Sequence, residues 1–120
     1  MFTEVFEASE LDEGAVSRHF APEYVQSVDG RTLTHADFIE HLRTLKREVR
    51  RTVITVEHLV AEGDAVCSVH TVAAEKDDGG KVEGQVIAYW RFDAGRIVRC
   101  KELTQMVSGS PADRDLGSRG

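Results

Sequence analysis

From residue 52 onward the chain changes period. "TVITVEHLV", "AVCSVHTVAAE", "KVEGQVIAYWRF" and "RIVRCKELTQMV" alternate their side chains with a repeat of two, the spacing of strands rather than helices. They are joined by "AEGD", "KDDGG" and "DAG", linkers rich in Gly and Asp and short enough for hairpins. Consecutive strands tied by hairpins form an antiparallel meander. The residues upstream must then supply the layer that covers one of its faces. The last three strands are each about ten residues long, against the usual five or six, and long strands in a twisted sheet curl.

The upstream residues have a helical period. Phe2, Val5 and Phe6 fit one face of a short helix. In "SELDEGAVSRHF", Ser9 is read as a cap with Asp12 three residues on, and Val16 and Phe20 continue the apolar stripe. Pro22 closes that helix, because the residue before a proline avoids the α region. A short strand over 24–28 follows, then "VDGR", whose Asp-Gly favours a two-residue hairpin turn. "THADFIEHLRTLKREV" carries the clearest helical signal. Thr34 caps it, Asp37 lies in its first turn, and Phe38, Leu42, Leu45 and Val49 repeat along one face.

A chain of 120 residues holds one domain with one core. The expected domain is 1–108, and the polar segment 109–120 is expected to be a disordered tail. The net charge of −6 argues against nucleic acid, which needs a basic face. The basic cluster "RTLKREVRR" is read as the end of the helix, where positive charge complements the dipole. No run reaches the ~20 apolar residues of a membrane span. The acidic start "MFTEVFEASELDEG" lacks the basic region of a signal peptide. Cys67 and Cys100 lie in apolar strands and are read as buried thiols in a reducing cytoplasm. Two strand spacings separate them by ~10 Å, too far for a disulfide.

Parity orients the sheet. Val82, Val86, Ala88, Trp90 and Phe92 share the helix-side face, opposite Gln85, Ile87, Tyr89 and Arg91. In the last strand Val98, Cys100, Glu102, Thr104 and Met106 carry fewer charges than Ile97, Arg99, Lys101, Leu103 and Gln105, and are pointed inward. A carboxylate facing a core is costly unless paired or neutralised. Glu102 is therefore either a general acid or base with a raised pKa, or a group solvated at the cavity mouth or paired with an arginine. His70 shares a parity with Val66, Ser68 and Val72 and is placed inward, although both faces of its strand are apolar. His41 lies beside the Phe38/Leu42 stripe and reaches the same interior, whereas His19, His35 and His58 are read as surface residues. No histidines have close ligand spacing and no CxxC pair exists, so no metal site is expected.

The segments "FAPEYVQSVDG", "GDAVCSVHTVAAE" and "GQVIAYWRFDAGRIVRCKELTQM", with a capped helix after the first, resemble the SnoaL-like branch of the nuclear-transport-factor-2-like superfamily over about residues 10–107. The resemblance implies a cone-shaped α+β barrel, with N-terminal helices packed on a curled antiparallel sheet around a central cavity, and often a homodimer. By position it places Tyr24, Gln26, Trp90, Cys100, Glu102 and Thr104 around that cavity. Members include polyketide cyclases, ketosteroid isomerase-like enzymes, epoxide hydrolases and non-catalytic association domains. Where the isomerase-like members carry an oxyanion-stabilising acid this chain has Ala88, and the position of their catalytic base falls near Val28.

Two functions follow as expectations. In the first, a small hydrophobic molecule enters the cone and Glu102 moves a proton at a carbon next to a carbonyl. His70 or Gln26, with Tyr24, holds the oxygen, and no cofactor is needed. In the second, the cavity belongs to a non-catalytic binding or association domain. The open sheet face, with Ile87, Tyr89 and Leu103 rimmed by Arg91, Arg99 and Lys101, is expected to pair two copies of the chain.

Overall fold

The structure is a computed structural model that describes residues 1–108. The expected tail, 109–120, lies outside the described residues. A π-helical turn, Phe2–Glu7, opens the chain, followed by helix α1 (Glu13–His19), strands β1 (Phe20–Val28) and β2 (Arg31–Thr34), helix α2 (His35–Glu48) and strands β3 (Val49–Glu62), β4 (Ala65–Lys76), β5 (Lys81–Asp93) and β6 (Arg96–Ser108). None of the described helices is long and apolar enough to cross a membrane.

All six strands form one sheet in the order β2-β1-β6-β5-β4-β3. The meander β3–β6 is antiparallel throughout, as its short linkers require. The sheet as a whole is mixed, because β6 lies parallel to β1. This corrects the expectation of a purely antiparallel sheet. It also corrects the expectation of a barrel: β2 and β3 are free edges of a curled sheet that does not close.

The turns follow local chemistry. Asp29 and Gly30 both adopt positive φ (49° and 86°), the signature of a two-residue type I′ hairpin. Ala94 and Gly95 repeat that conformation between β5 and β6 (51° and 81°). Helix α2 begins in a full capping box. Thr34 Oγ1 accepts the Asp37 N–H at 3.3 Å, and Asp37 Oδ2 accepts the Thr34 N–H at 3.0 Å, an arrangement worth about 1 kcal/mol.

Helix α1 is capped by Asp12 rather than Ser9, the Asp12 carboxylate accepting the Ala15 N–H at 3.2 Å. It ends at His19, so Phe20 opens β1 instead of closing the helix. Pro22 forces its neighbour into extended backbone and lacks an N–H for the ladder. The β1–β6 register is accordingly irregular between Phe20 and Val25. At the other end of α2, Val49 already starts β3, so Arg50 and Arg51 of the basic cluster lie on a strand.

The main core lies between the helices and the concave face of the sheet. Phe20, Tyr24, Phe38, Leu42 and Ile97 are among its fully buried members, and Val86, Ala88 and Trp90 form the sheet side. A smaller cluster of Val49, Ala74 and Val82 sits beside Leu45 and Met106. Parity alone puts Ile97 on the open face, but the structure buries it. Between Arg91↔Arg99 and Phe92↔Ile97, β6 carries one extra residue, and such a bulge reverses the parity of everything before it. Cys67 is exposed on the open face rather than buried. Its strand reads as apolar on both sides because the open face is itself apolar.

Candidate functional site

A cavity of about 140 Å³ lies between the concave face of the sheet, helix α2 and the N-terminal turn. Phe2 and Phe6 form its N-terminal wall. Phe2 packs on His70 with ring centroids 4.9 Å apart and on Trp90 at 5.9 Å. Phe6 reaches Phe38 at 6.1 Å and Phe20 at 6.5 Å. Helix α2 contributes His41 and Leu42, and the sheet contributes His70, Val86, Trp90, Glu102 and Thr104. Exposed Ser9, Arg50 and Arg51 mark the mouth.

The N-terminal turn is held in place by polar contacts. The Lys46 ammonium donates to the Phe6 carbonyl at 2.8 Å and also to the Ala8 carbonyl. The Glu7 carboxylate accepts the Ile54 N–H at 2.8 Å. Burial lowers the Lys46 pKa from its ordinary value. Further out, Glu4 pairs with Arg18 at 3.0 Å and His19 at 3.1 Å.

Two polar chains run from the cavity wall into the core. In the first, the Trp90 Nε1–H donates to Ser68 Oγ at 3.0 Å, and Ser68 Oγ meets His70 Nδ1 at 3.0 Å. An indole can only donate, so Ser68 accepts there, and the His70 tautomer sets the direction of the bond between Ser68 Oγ and His70 Nδ1. Burial lowers the His70 pKa and keeps the ring neutral.

In the second chain the Tyr24 hydroxyl donates to Gln26 Oε1 at 2.5 Å, and Gln26 Nε2 donates to Glu102 Oε1 at 3.4 Å. Parallel pairing makes this possible: Gln26 stands opposite Cys100 and Val28 opposite Glu102. The Glu102 pKa is pushed up to about 7, by burial first and then by the charge of Asp29. Burial pushes the Tyr24 hydroxyl and the Cys100 thiol far up as well. Both are neutral at any working pH, which leaves Cys100 without nucleophilic character. No buried side-chain nitrogen or oxygen among the described residues lacks a partner.

The structure therefore brings Glu102, His70, His41, Trp90 and Thr104 to one cavity. Tyr24, Gln26 and Cys100, expected at the wall, lie one layer behind it. Tyr24 is enclosed by Phe20 and Phe38, with centroids at 4.8 and 5.0 Å, and its one proton is committed to Gln26. Sequence reasoning missed Ser68, although it stands two residues before His70 on the same face. It also read Lys46 only as a charge at a helix end and Asp29 only as a turn residue. No three His, Cys, Asp or Glu side chains converge as a metal site among the described residues.

The profile of the SnoaL-like domain matches residues 1–100, and the chain belongs to that family, within the nuclear-transport-factor-2-like superfamily. It is similar to an uncharacterised protein of Schizosaccharomyces pombe, with 41% identity over 97 residues that cover 81% of this chain and 75% of that one. Among solved structures it resembles AclR, a provisionally assigned hydroxylase from Streptomyces galilaeus. The TM-score is 0.72 with 21% identity, over 90% of this chain and 72% of the other. It also resembles IdmH, a provisionally assigned polyketide cyclase from Streptomyces antibioticus. There the TM-score is 0.69 with 16% identity, over 78% and 81% of the two chains. At such identities the structural likeness establishes the fold.

Proposed function

We propose that the cavity receives the ring of a small, largely apolar carbonyl compound and that Glu102 moves a proton at the carbon next to the carbonyl. The observation that carries this reading is a carboxyl group on an apolar cavity wall with its pKa raised to about 7. A group poised near neutrality can both take and return a proton. His70, in the tautomer that accepts the Ser68 proton at Nδ1 and keeps its own on Nε2, is the donor assigned to the carbonyl oxygen as charge develops there. Gln26 steadies the Glu102 carboxylate, and Tyr24 acts through Gln26 rather than on the ligand. The volume of about 140 Å³ matches cavities that hold a single aromatic ring. A polyketide-like ligand would leave the rest of its length in the mouth. The cyclase assignment of IdmH is consistent with this chemistry.

A second reading, a binding domain without catalysis, is favoured by the Trp90–Ser68–His70 chain, whose members satisfy one another. We further propose that two copies pair through the open sheet face, where Ile87, Tyr89 and Leu103 are exposed.

Hydrogen–deuterium exchange at the carbon next to the carbonyl of a one-ring ketone such as cyclohexanone separates the two readings. Acid–base catalysis predicts exchange that rises as pH passes about 7 and falls ~10²-fold or more in Glu102→Gln. Binding without accelerated exchange supports the second reading. The raised pKa has a matching stability signature. Between pH 4.5 and about 7 the folded state holds the Glu102 proton and the unfolded state has lost it. Stability therefore falls as pH rises through that window and levels off above it. Glu102→Gln removes that slope.

A further inference from the structure

The hairpin turn between β1 and β2 reaches across to the neighbouring strand. β1 ends at Val28, opposite Glu102. The next residue, Asp29, donates its N–H to the Glu102 carbonyl at 3.0 Å. Its carboxylate accepts the Thr104 N–H at 2.8 Å. Asp29 therefore grips β6 at Glu102 itself and two residues beyond.

The Thr104 contact has a plain structural use. β1 has turned away at that point, and a strand N–H facing its side needs an acceptor. Asparagine would serve equally well there, since it offers the same oxygen and Asn-Gly suits a type I′ turn at least as well as Asp-Gly. What aspartate adds is a negative charge beside the cavity carboxyl.

We propose that Asp29 is a positioning residue for Glu102, fixing the β6 backbone around it and holding a fixed negative charge next to its side chain. This rests on the reading of Glu102 as the acid–base group. Like charges nearby disfavour ionisation, and Asp29 is the charge that raises Glu102 beyond the effect of burial. The other titratable groups around Glu102 are of two kinds. Tyr24 on β1 and Cys100 on β6 are held neutral by burial. His41 and Lys46 on α2, His70 on β4, Glu7 on the N-terminal turn and Arg50 and Arg51 on β3 share the cavity wall. The facing β5 residue, Ala88, carries no charge.

Asp29→Asn isolates the charge, because it keeps the acceptor and the turn. The readout is the titration of the Glu102 carboxyl carbon by NMR in wild type and variant. We expect a wild-type midpoint near the value of about 7 and a fall of about 0.5 unit or more in Asp29→Asn. The acid side of the exchange–pH profile moves by the same amount. A second measurement needs no substitution: 1 M salt shortens the Debye length to about 3 Å and lowers the wild-type midpoint, but leaves that of Asp29→Asn in place. A wild-type midpoint near 7 that neither the substitution nor salt changes overturns the role of Asp29 and leaves that of Glu102 standing. A wild-type midpoint near 4.5 overturns both.

Discussion

The two faces of one sheet have opposite relations to water. On the concave face Trp90, Ala88 and Val86 are at most 5% exposed, and of the polar groups among them Ser68 bonds to both His70 and Trp90. On the open face, one residue away along the same strand, Ile87 is 56% and Tyr89 38% exposed, and Leu103 on β6 is 61% exposed. The concave face is finished within one chain. The open face presents an apolar centre with Arg91, Arg99 and Lys101 around it, which a second surface would finish. The lesson is that hydrophobicity alone does not distinguish core from surface here. The burial of bonded polar groups does, since Ser68, His70 and the Trp90 indole are enclosed while the open-face bond from Thr71 to Glu57 is exposed.

Trp90→Ala attacks the finished face and carries the largest expected effect. It removes a buried indole that bridges Phe2 and Ser68 and is expected to cost ~3–5 kcal/mol, read as a lower midpoint in urea. A loss under ~1 kcal/mol would mean that the cavity already leaves Trp90 loosely held.

Ser68→Ala keeps the volume and breaks only the polar chain. It leaves Trp90 Nε1 without its acceptor and His70 Nδ1 without its partner, at an expected cost of ~1–3 kcal/mol. Nitrogen chemical shifts of the His70 ring report the same event. A His70 that donates from Nε2, as proposed, shows the Nε2–H form in the wild type and a mixture of both tautomers in the variant.

Tyr89→Glu tests the unfinished face and carries the smallest effect on the fold itself. It should change protomer stability by no more than ~0.5 kcal/mol, as exposed substitutions do, while light scattering at micromolar concentration falls from a dimer mass to a monomer mass. A wild-type monomer at that concentration, or a dimer that survives the substitution, removes the pairing proposal. In either case the arginine and lysine stems shelter the patch within one chain.

What the sequence revealed tracks how local each signal is. The meander, its turns and the inward parity of Trp90, His70 and Glu102 were legible, because a repeat of two and a Gly/Asp turn are written in neighbouring residues. The parallel pairing of β1 with β6 has no such signature, since it depends on where the chain returns. Ile97 was misassigned because a single extra residue on β6 reverses parity without any glycine to mark it. Cys67 was misassigned because an apolar open face looks like a core. For the site, parity gave the face of Tyr24 and Gln26 but not their depth, which the bulk of Phe20 and Phe38 sets. The roles of Ser68 and Asp29 lie in contacts across strands, out of reach of a linear reading.

The parallel pairing also sets an order in time. Gln26 and Glu102 touch across 76 positions of chain. At translation rates of ~5–20 residues per second, β6 follows β1 by roughly 4 to 15 seconds. During that interval β1 has only β2 beside it, and a two-stranded hairpin is marginal in water. Contacts between distant segments form late because the loop between them must close first. The Glu102 wall is therefore the last part of the cavity to be synthesised, and a ligand that needs it can steady the chain only once β6 has emerged.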